Sequence, residues 1–216
     1  MVLLKFIKWK LIDLYREIKR IKNKESKKIH LYGIYGFFGL PGKGKTMALA
    51  HQLREYRQKY GDKIYIMTNF NYLDQDFEFT HWKQLLDDYD KPLVVAWDEV
   101  QNEFNSRDFK NFPIELLTLL TQNRKGNGKQ VLYTAQRWGR VDKVFRELTH
   151  MAIQCNTIFG RLTRLRYYYW EDYESLLNAP SVELRRRIRP IKYKTFVQDD
   201  EIRDSYDSYK MLETAK

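Results

Sequence analysis

Eight consecutive residues carry the strongest chemical signal in this chain. Gly39-Leu40-Pro41-Gly42-Lys43-Gly44-Lys45-Thr46 matches the complete G-x-x-x-x-G-K-[ST] pattern of a phosphate-binding loop. Glycines let such a loop curl until its N–H groups point at phosphate oxygens, and the following helix start adds partial positive charge. Gly39, Gly42, Lys43 and Gly44 would form the cradle. Lys45, expected to be an exposed loop lysine, would reach the β- and γ-phosphates, and the Thr46 hydroxyl would ligate Mg²⁺.

Two further blocks fit the same chemistry. Leu93-Val94-Val95-Ala96-Trp97-Asp98-Glu99 reads as a doubly buried strand that delivers two carboxylates to the ligand-binding end of a sheet. Asp98 is then placed to hold Mg²⁺ or its water shell, and Glu99 to polarise a water for attack on the γ-phosphate. Residues 121–136 end in a strand, putting the Gln136 amide at that same edge as a γ-phosphate sensor or water positioner. Arg124 sits at a helix end beside Gly126 and Gly128. There it either neutralises transition-state charge on a neighbouring subunit's nucleotide or is a solvated surface arginine. No Asn-Lys-x-Asp tetrapeptide for guanine recognition occurs, so ATP is the expected nucleotide.

The elements that must position these groups alternate along the chain. β-rich runs at residues 30–38, 63–70, 93–97, 130–134, 151–159 and 162–170 are separated by helical patterns at 45–60, 81–89, 114–122 and 141–148. That alternation predicts an α/β, three-layer sandwich with a mostly parallel central sheet. The size, 216 residues with 43% apolar and 15% aromatic content, is sufficient for a buried core and excludes a disordered chain. One cysteine, Cys155, excludes an internal disulfide, and four scattered histidines argue against a structural zinc site.

Charge divides the chain further. Residues 1–29 hold ten Lys/Arg against three Asp/Glu, so this short segment carries most of the net +11. Within it Leu4, Ile7, Leu11, Leu14, Ile18 and Ile21 recur at helical spacing, and Lys5, Lys8, Lys10 and Asp13 interrupt any membrane span. The expected organisation is a basic amphipathic helix and linker over 1–28, then an ATPase domain over 29–216 with a basic and aromatic carboxyl extension. Residues 1–22 are expected to meet an anionic membrane surface or a membrane-bound assembly partner, unless the helix folds back on its own domain. In the extension, Arg161, Arg164, Arg166 and the Arg185–Arg189 cluster are interleaved with Tyr167, Tyr168, Tyr169 and Trp170. These side chains either attract and stack on nucleic acid or, for the aromatic run, form a strand with alternate rings in the core.

The three chemical blocks, followed by Arg137-Trp138-Gly139-Arg140-Val141-Asp142 and the later Ser205-Tyr206-Asp207-Ser208-Tyr209, resemble the FtsK–HerA superfamily of DNA-pumping P-loop ATPases. The closer resemblance is to its Zot-like (zonula occludens toxin, phage gene I) assembly ATPases and to phage genome-packaging ATPases. It implies Lys45 and Thr46 as the Walker A pair, Asp98 and Glu99 as the Walker B carboxylates, and Gln136 as polar sensor. It also implies ATP and Mg²⁺ as cofactors, DNA of either strand type as partner, and a homo-oligomeric ring, a hexamer, with an arginine acting between subunits. The implied setting is cytoplasmic, at the inner face of the cell membrane or at a virion vertex. Zot-like proteins carry a membrane span after the ATPase domain. These 216 residues contain none there, which tilts the expectation from filamentous-phage export toward packaging, unless the amino-terminal helix replaces the anchor. The resemblance leaves open a nucleotide-gated, membrane-docked scaffold with little hydrolysis, and a small-molecule kinase.

Overall fold

The computed structural model describes residues 1–23, 29–104 and 112–206. Its strands are β1 (Gly33–Phe38), β2 (Tyr65–Thr68), β3 (Phe77–Glu78), β4 (Leu93–Trp97), β5 (Lys129–Ala135), β6 (Met151–Ile158), β7 (Leu162–Tyr169) and β8 (Lys192–Val197). The helices are α1 (Val2–Lys22), α2 (Lys45–Tyr60), α3 (Ile114–Thr121), α4 (Lys143–Glu147), α5 (Trp170–Asn178), α6 (Val182–Arg187) and α7 (Asp200–Asp204).

Consecutive apolar residues in a strand must be covered on both faces, and β4 meets that requirement at all five positions. Leu93, Val95 and Trp97 join one apolar cluster, while Val94 and Ala96 join the other. The first cluster is closed by Leu116 and Leu120 of α3, Phe145 of α4 and Tyr173 of α5. The second is closed by Ala48, Leu49 and Leu53 of α2 and by Ile202 of α7. The sheet is therefore the middle of three layers, as the alternating pattern predicts.

Strand order is β3-β2-β4-β5-β1-β6-β7-β8. The first six are mutually parallel; β7 adds antiparallel to β6, and β8 antiparallel to β7. β5 therefore lies between the strand that enters the glycine loop and the strand that ends in the acidic pair. This interposed strand places its own carboxyl end between the other two.

Several expectations change at this level. The helix expected over 81–89 is a 3₁₀ turn over Trp82–Leu86, entered by His81, whose ring Nδ1 accepts the Lys83 N–H at 3.1 Å. The carboxyl extension belongs to the sheet: β7, α5, α6 and β8 are built from it. Tyr167 and Tyr168, successive residues, are both buried, one in each apolar cluster, so they are core rather than base-stacking platforms. Tyr169 remains exposed. No residue of α1 is buried, and it joins neither cluster. The expected linker at 22–28 and the tyrosine-rich end fall partly on residues 24–28 and 207–209, which lie outside the described residues.

Candidate nucleotide site

β1 ends against α2 through the glycine loop, and the loop's shape requires its glycines. Gly44 has φ of 79°, a left-handed conformation that side chains disfavour, and a Cβ there would collide with Thr157 Oγ1. Thr157 is itself held: its hydroxyl pairs with that of Thr163 at 2.9 Å, and Gln198 Nε2 donates to both at 3.2 and 2.8 Å. A Cβ at Gly39 would come within 2.9 Å of the Cys155 carbonyl oxygen. The loop thus rests on β6, β7 and the residue after β8. The Cys155 thiol beneath it is fully buried, which pushes its pKa up to about 12 and leaves it unreactive.

Lys45 is only 7% exposed, a correction to the exposed lysine expected from a loop position. It opens α2, whose first turn packs under the loop. Thr46 follows, and its Oγ1 donates to Asp98 Oδ2 at 3.0 Å and lies 3.2 Å from Oδ1. A cleft of about 470 Å³ opens beside Lys45 and Thr46, with Gln198 and Tyr206 on its far wall. Tyr206 packs edge-on against Phe70 at 5.6 Å.

Asp98 is 5% exposed and enclosed by polar groups. Thr134, on β5, donates its hydroxyl to Asp98 Oδ1. Asn69 clamps the Asp98 backbone, accepting its N–H at 2.7 Å and donating to its carbonyl at 3.0 Å. Burial raises the Asp98 pKa, opposed by the hydrogen bonds from Thr134 and Thr46 and by the nearby Lys45 charge. Glu99 adopts a left-handed backbone with φ of 56°, a conformation that costs a non-glycine residue about 1 kcal/mol or more. The Glu99 N–H donates to Thr134 Oγ1 at 2.9 Å. Its carboxylate accepts from Gln101 Nε2 and, at 3.3 Å, from Gln136 Nε2.

The structure therefore brings Lys45, Thr46, Asp98, Glu99 and Gln136 to one sheet edge. A hydroxyl and a carboxylate within 3.2 Å are hard oxygen donors suited to Mg²⁺. Thr46 would hold such an ion directly and Asp98 directly or through water. Arg124 is not brought to this edge. It is exposed and lies over the Tyr32 ring at 5.6 Å, where the chain enters β1, roughly 20 Å from the loop at its other end.

Asn69, Gln101, Thr134, Thr157, Thr163 and Gln198 were not singled out by sequence reasoning. Asn69 lies inside the β-rich run at 63–70, just past the end of β2, and Thr134 stands two residues before Gln136; position is the signal they offer. A second cleft, about 530 Å³, opens on the other side of the loop beside Lys43 and Gln136, with Arg137, Arg164 and Arg166 on its walls. It shares Gln154, Arg166 and Leu177 with a third, about 600 Å³, that carries Arg185, Arg186 and Arg189. Together they form a basic groove. A larger cleft of about 720 Å³, by Tyr89 and Asn123, contains none of the site residues.

No family model and no curated protein matches the sequence. Among solved structures, the N-terminal domain of zonular occludens toxin from Neisseria meningitidis is similar at 17% identity with a TM-score of 0.55, covering 82% of this chain and 100% of that one. The two share a fold. The architecture, a three-layer α/β sandwich around a mostly parallel sheet, is consistent with the P-loop NTPase fold. The genome packaging NTPase B204 from Sulfolobus turreted icosahedral virus 2, in complex with ATP-gammaS, is similar at 13% identity with a TM-score of 0.49, covering 78% of this chain and 93% of that one.

Proposed function

We propose that this protein is an ATP hydrolase that couples turnover to packaging or extrusion of DNA in virus assembly, working as a ring of identical subunits, a hexamer. One observation carries the reading. Thr46 meets Asp98 at 3.0 Å, while Glu99, the next residue, meets Gln136 at 3.3 Å, all at the carboxyl edge where the glycine loop opens.

Each residue has a task in that reading. Backbone N–H groups of the loop and the Lys45 ammonium bind the phosphates. Mg²⁺, when bound, neutralises charge on the β- and γ-phosphate oxygens. Asp98, with its carboxylate fixed by Thr134 and Thr46, keeps that corner of the site anionic. The Glu99 carboxylate takes a proton from the attacking water, and the amides of Gln101 and Gln136 hold its oxygen in place. The basic groove beside Lys43 and Gln136 supports a polyanion as the moved partner, because clustered arginines attract phosphodiester backbones without reading sequence.

The test is ATP turnover with and without single- and double-stranded DNA, together with particle mass in a non-hydrolysable analogue. Stimulation by DNA and a ring-sized particle are expected. Nucleotide binding without turnover under any of these conditions would instead identify a scaffold.

A further inference from the structure

α1 carries seven basic and two acidic residues, and its apolar residues are segregated. At about 100° per residue, Leu4, Ile7, Leu11, Leu14, Ile18 and Ile21 fall within an arc of about 100°. All six are between 45% and 73% exposed. Of the half-buried residues of the helix, Ile12 and Arg20 lie away from the arc and Glu17 flanks it, so the apolar arc faces solvent. Lys8 and Lys19 border one margin of the arc and Lys10 the other. Phe6, also exposed, adds aromatic surface beyond the Lys10 margin, whereas Trp9 projects from the opposite face.

The charge pattern selects the occupant. A second copy packed on this arc would set Lys8, Lys10 and Lys19 of both copies along one shared seam, so like charges would oppose that pairing. A bilayer with anionic headgroups takes the apolar arc into its acyl boundary and lets the marginal lysines extend to lipid phosphates. No helix among the described residues is long and apolar enough to cross a membrane. We propose that α1 lies in the plane of an anionic lipid bilayer and docks the protein there. This surface is separate from the nucleotide site, and the inference does not rest on the function proposed above.

The test uses the full chain with vesicles of phosphatidylcholine alone or with about 30 mol% phosphatidylglycerol. The wild type should co-sediment with anionic vesicles at about 50 mM salt, bind neutral ones far less, and dissociate by about 500 mM. Leu11→Asp with Leu14→Asp should weaken binding at least about tenfold, with melting temperature unchanged. Lys8→Gln with Lys19→Gln, which leaves the apolar arc intact, should lose most of the preference for anionic lipid. Binding by the double-Asp variant equal to wild type, or no binding by wild type at low salt, overturns the proposal. A drop in lipid-free particle mass caused by the double-Asp variant would also overturn it, assigning the arc to contact between copies.

Discussion

Thr134 donates its hydroxyl to Asp98 while accepting the N–H of Glu99 at 2.9 Å, so one side chain on β5 sets both carboxylate residues of the neighbouring strand. It is fully buried, and nothing solvent-borne replaces it. Thr134→Val keeps the shape but takes a donor from the Asp98 carboxylate and leaves the Glu99 N–H unpaired. The expected outcome is a loss of about 1–3 kcal/mol of stability and a fall in turnover, measured by denaturant melting and phosphate release. A variant as stable and active as wild type would remove Thr134 from this role.

Glu99→Gln should bind ATP as well as wild type yet hydrolyse it about 10²–10⁴-fold more slowly, the usual worth of a positioned proton acceptor. Single-turnover kinetics alongside nucleotide titration separates the two quantities. Wild-type turnover would transfer the role to another group.

Lys45 is buried, so truncation alone confounds packing with chemistry. Lys45→Met retains the aliphatic stem and should melt near wild type, whereas Lys45→Ala should melt lower. Both should lose nucleotide binding by at least about tenfold. Retained affinity in the Met variant would show that the ammonium does not contact phosphate.

Asp98 holds its proton more tightly in the fold than in the unfolded chain, because burial raises its pKa from 3.8. Its contribution therefore favours folding below the ordinary carboxylate range and is lost as pH climbs through the raised value. Asp98→Asn removes that loss. Its melting temperature relative to wild type should rise as pH climbs above about 4, while turnover drops at least about 10²-fold. A melting difference flat in pH would contradict the sign.

Arg124 lies far from its own chain's loop, so an action on nucleotide would have to be on a neighbour's. Mixing Arg124→Ala with Glu99→Gln subunits should then recover activity above either variant alone, up to roughly a quarter of wild type for random pairing of one good interface. No recovery would move the role to Arg137, beside the glycine loop, or Arg140, 3.5 Å from Gln136.

Where one physical requirement dominated, the chain was readable in advance. β4 and α2 begin and end where their patterns predict, because a doubly buried strand and a loop-capped helix each leave a plain signature. The segment after Tyr169 did not announce itself. β8 buries one of six residues, and α6 buries none, so neither has an apolar period to detect. The amides of Asn69 and Gln101 were equally silent, since neutral side chains gain meaning only from what they face. Charge made Lys45 look exposed, although a lysine's stem packs like an alkane.

Thr163 and Arg164 are adjacent on β7, and strand geometry sends their side chains to opposite faces. One reaches Thr157 and Gln198 beneath Gly44; the other lines the groove. Under the proposed function, cargo held by Arg164 would pull one peptide unit from the floor of the phosphate cradle. The same strand would then be both handle and anvil, a short mechanical linkage from the groove to the loop.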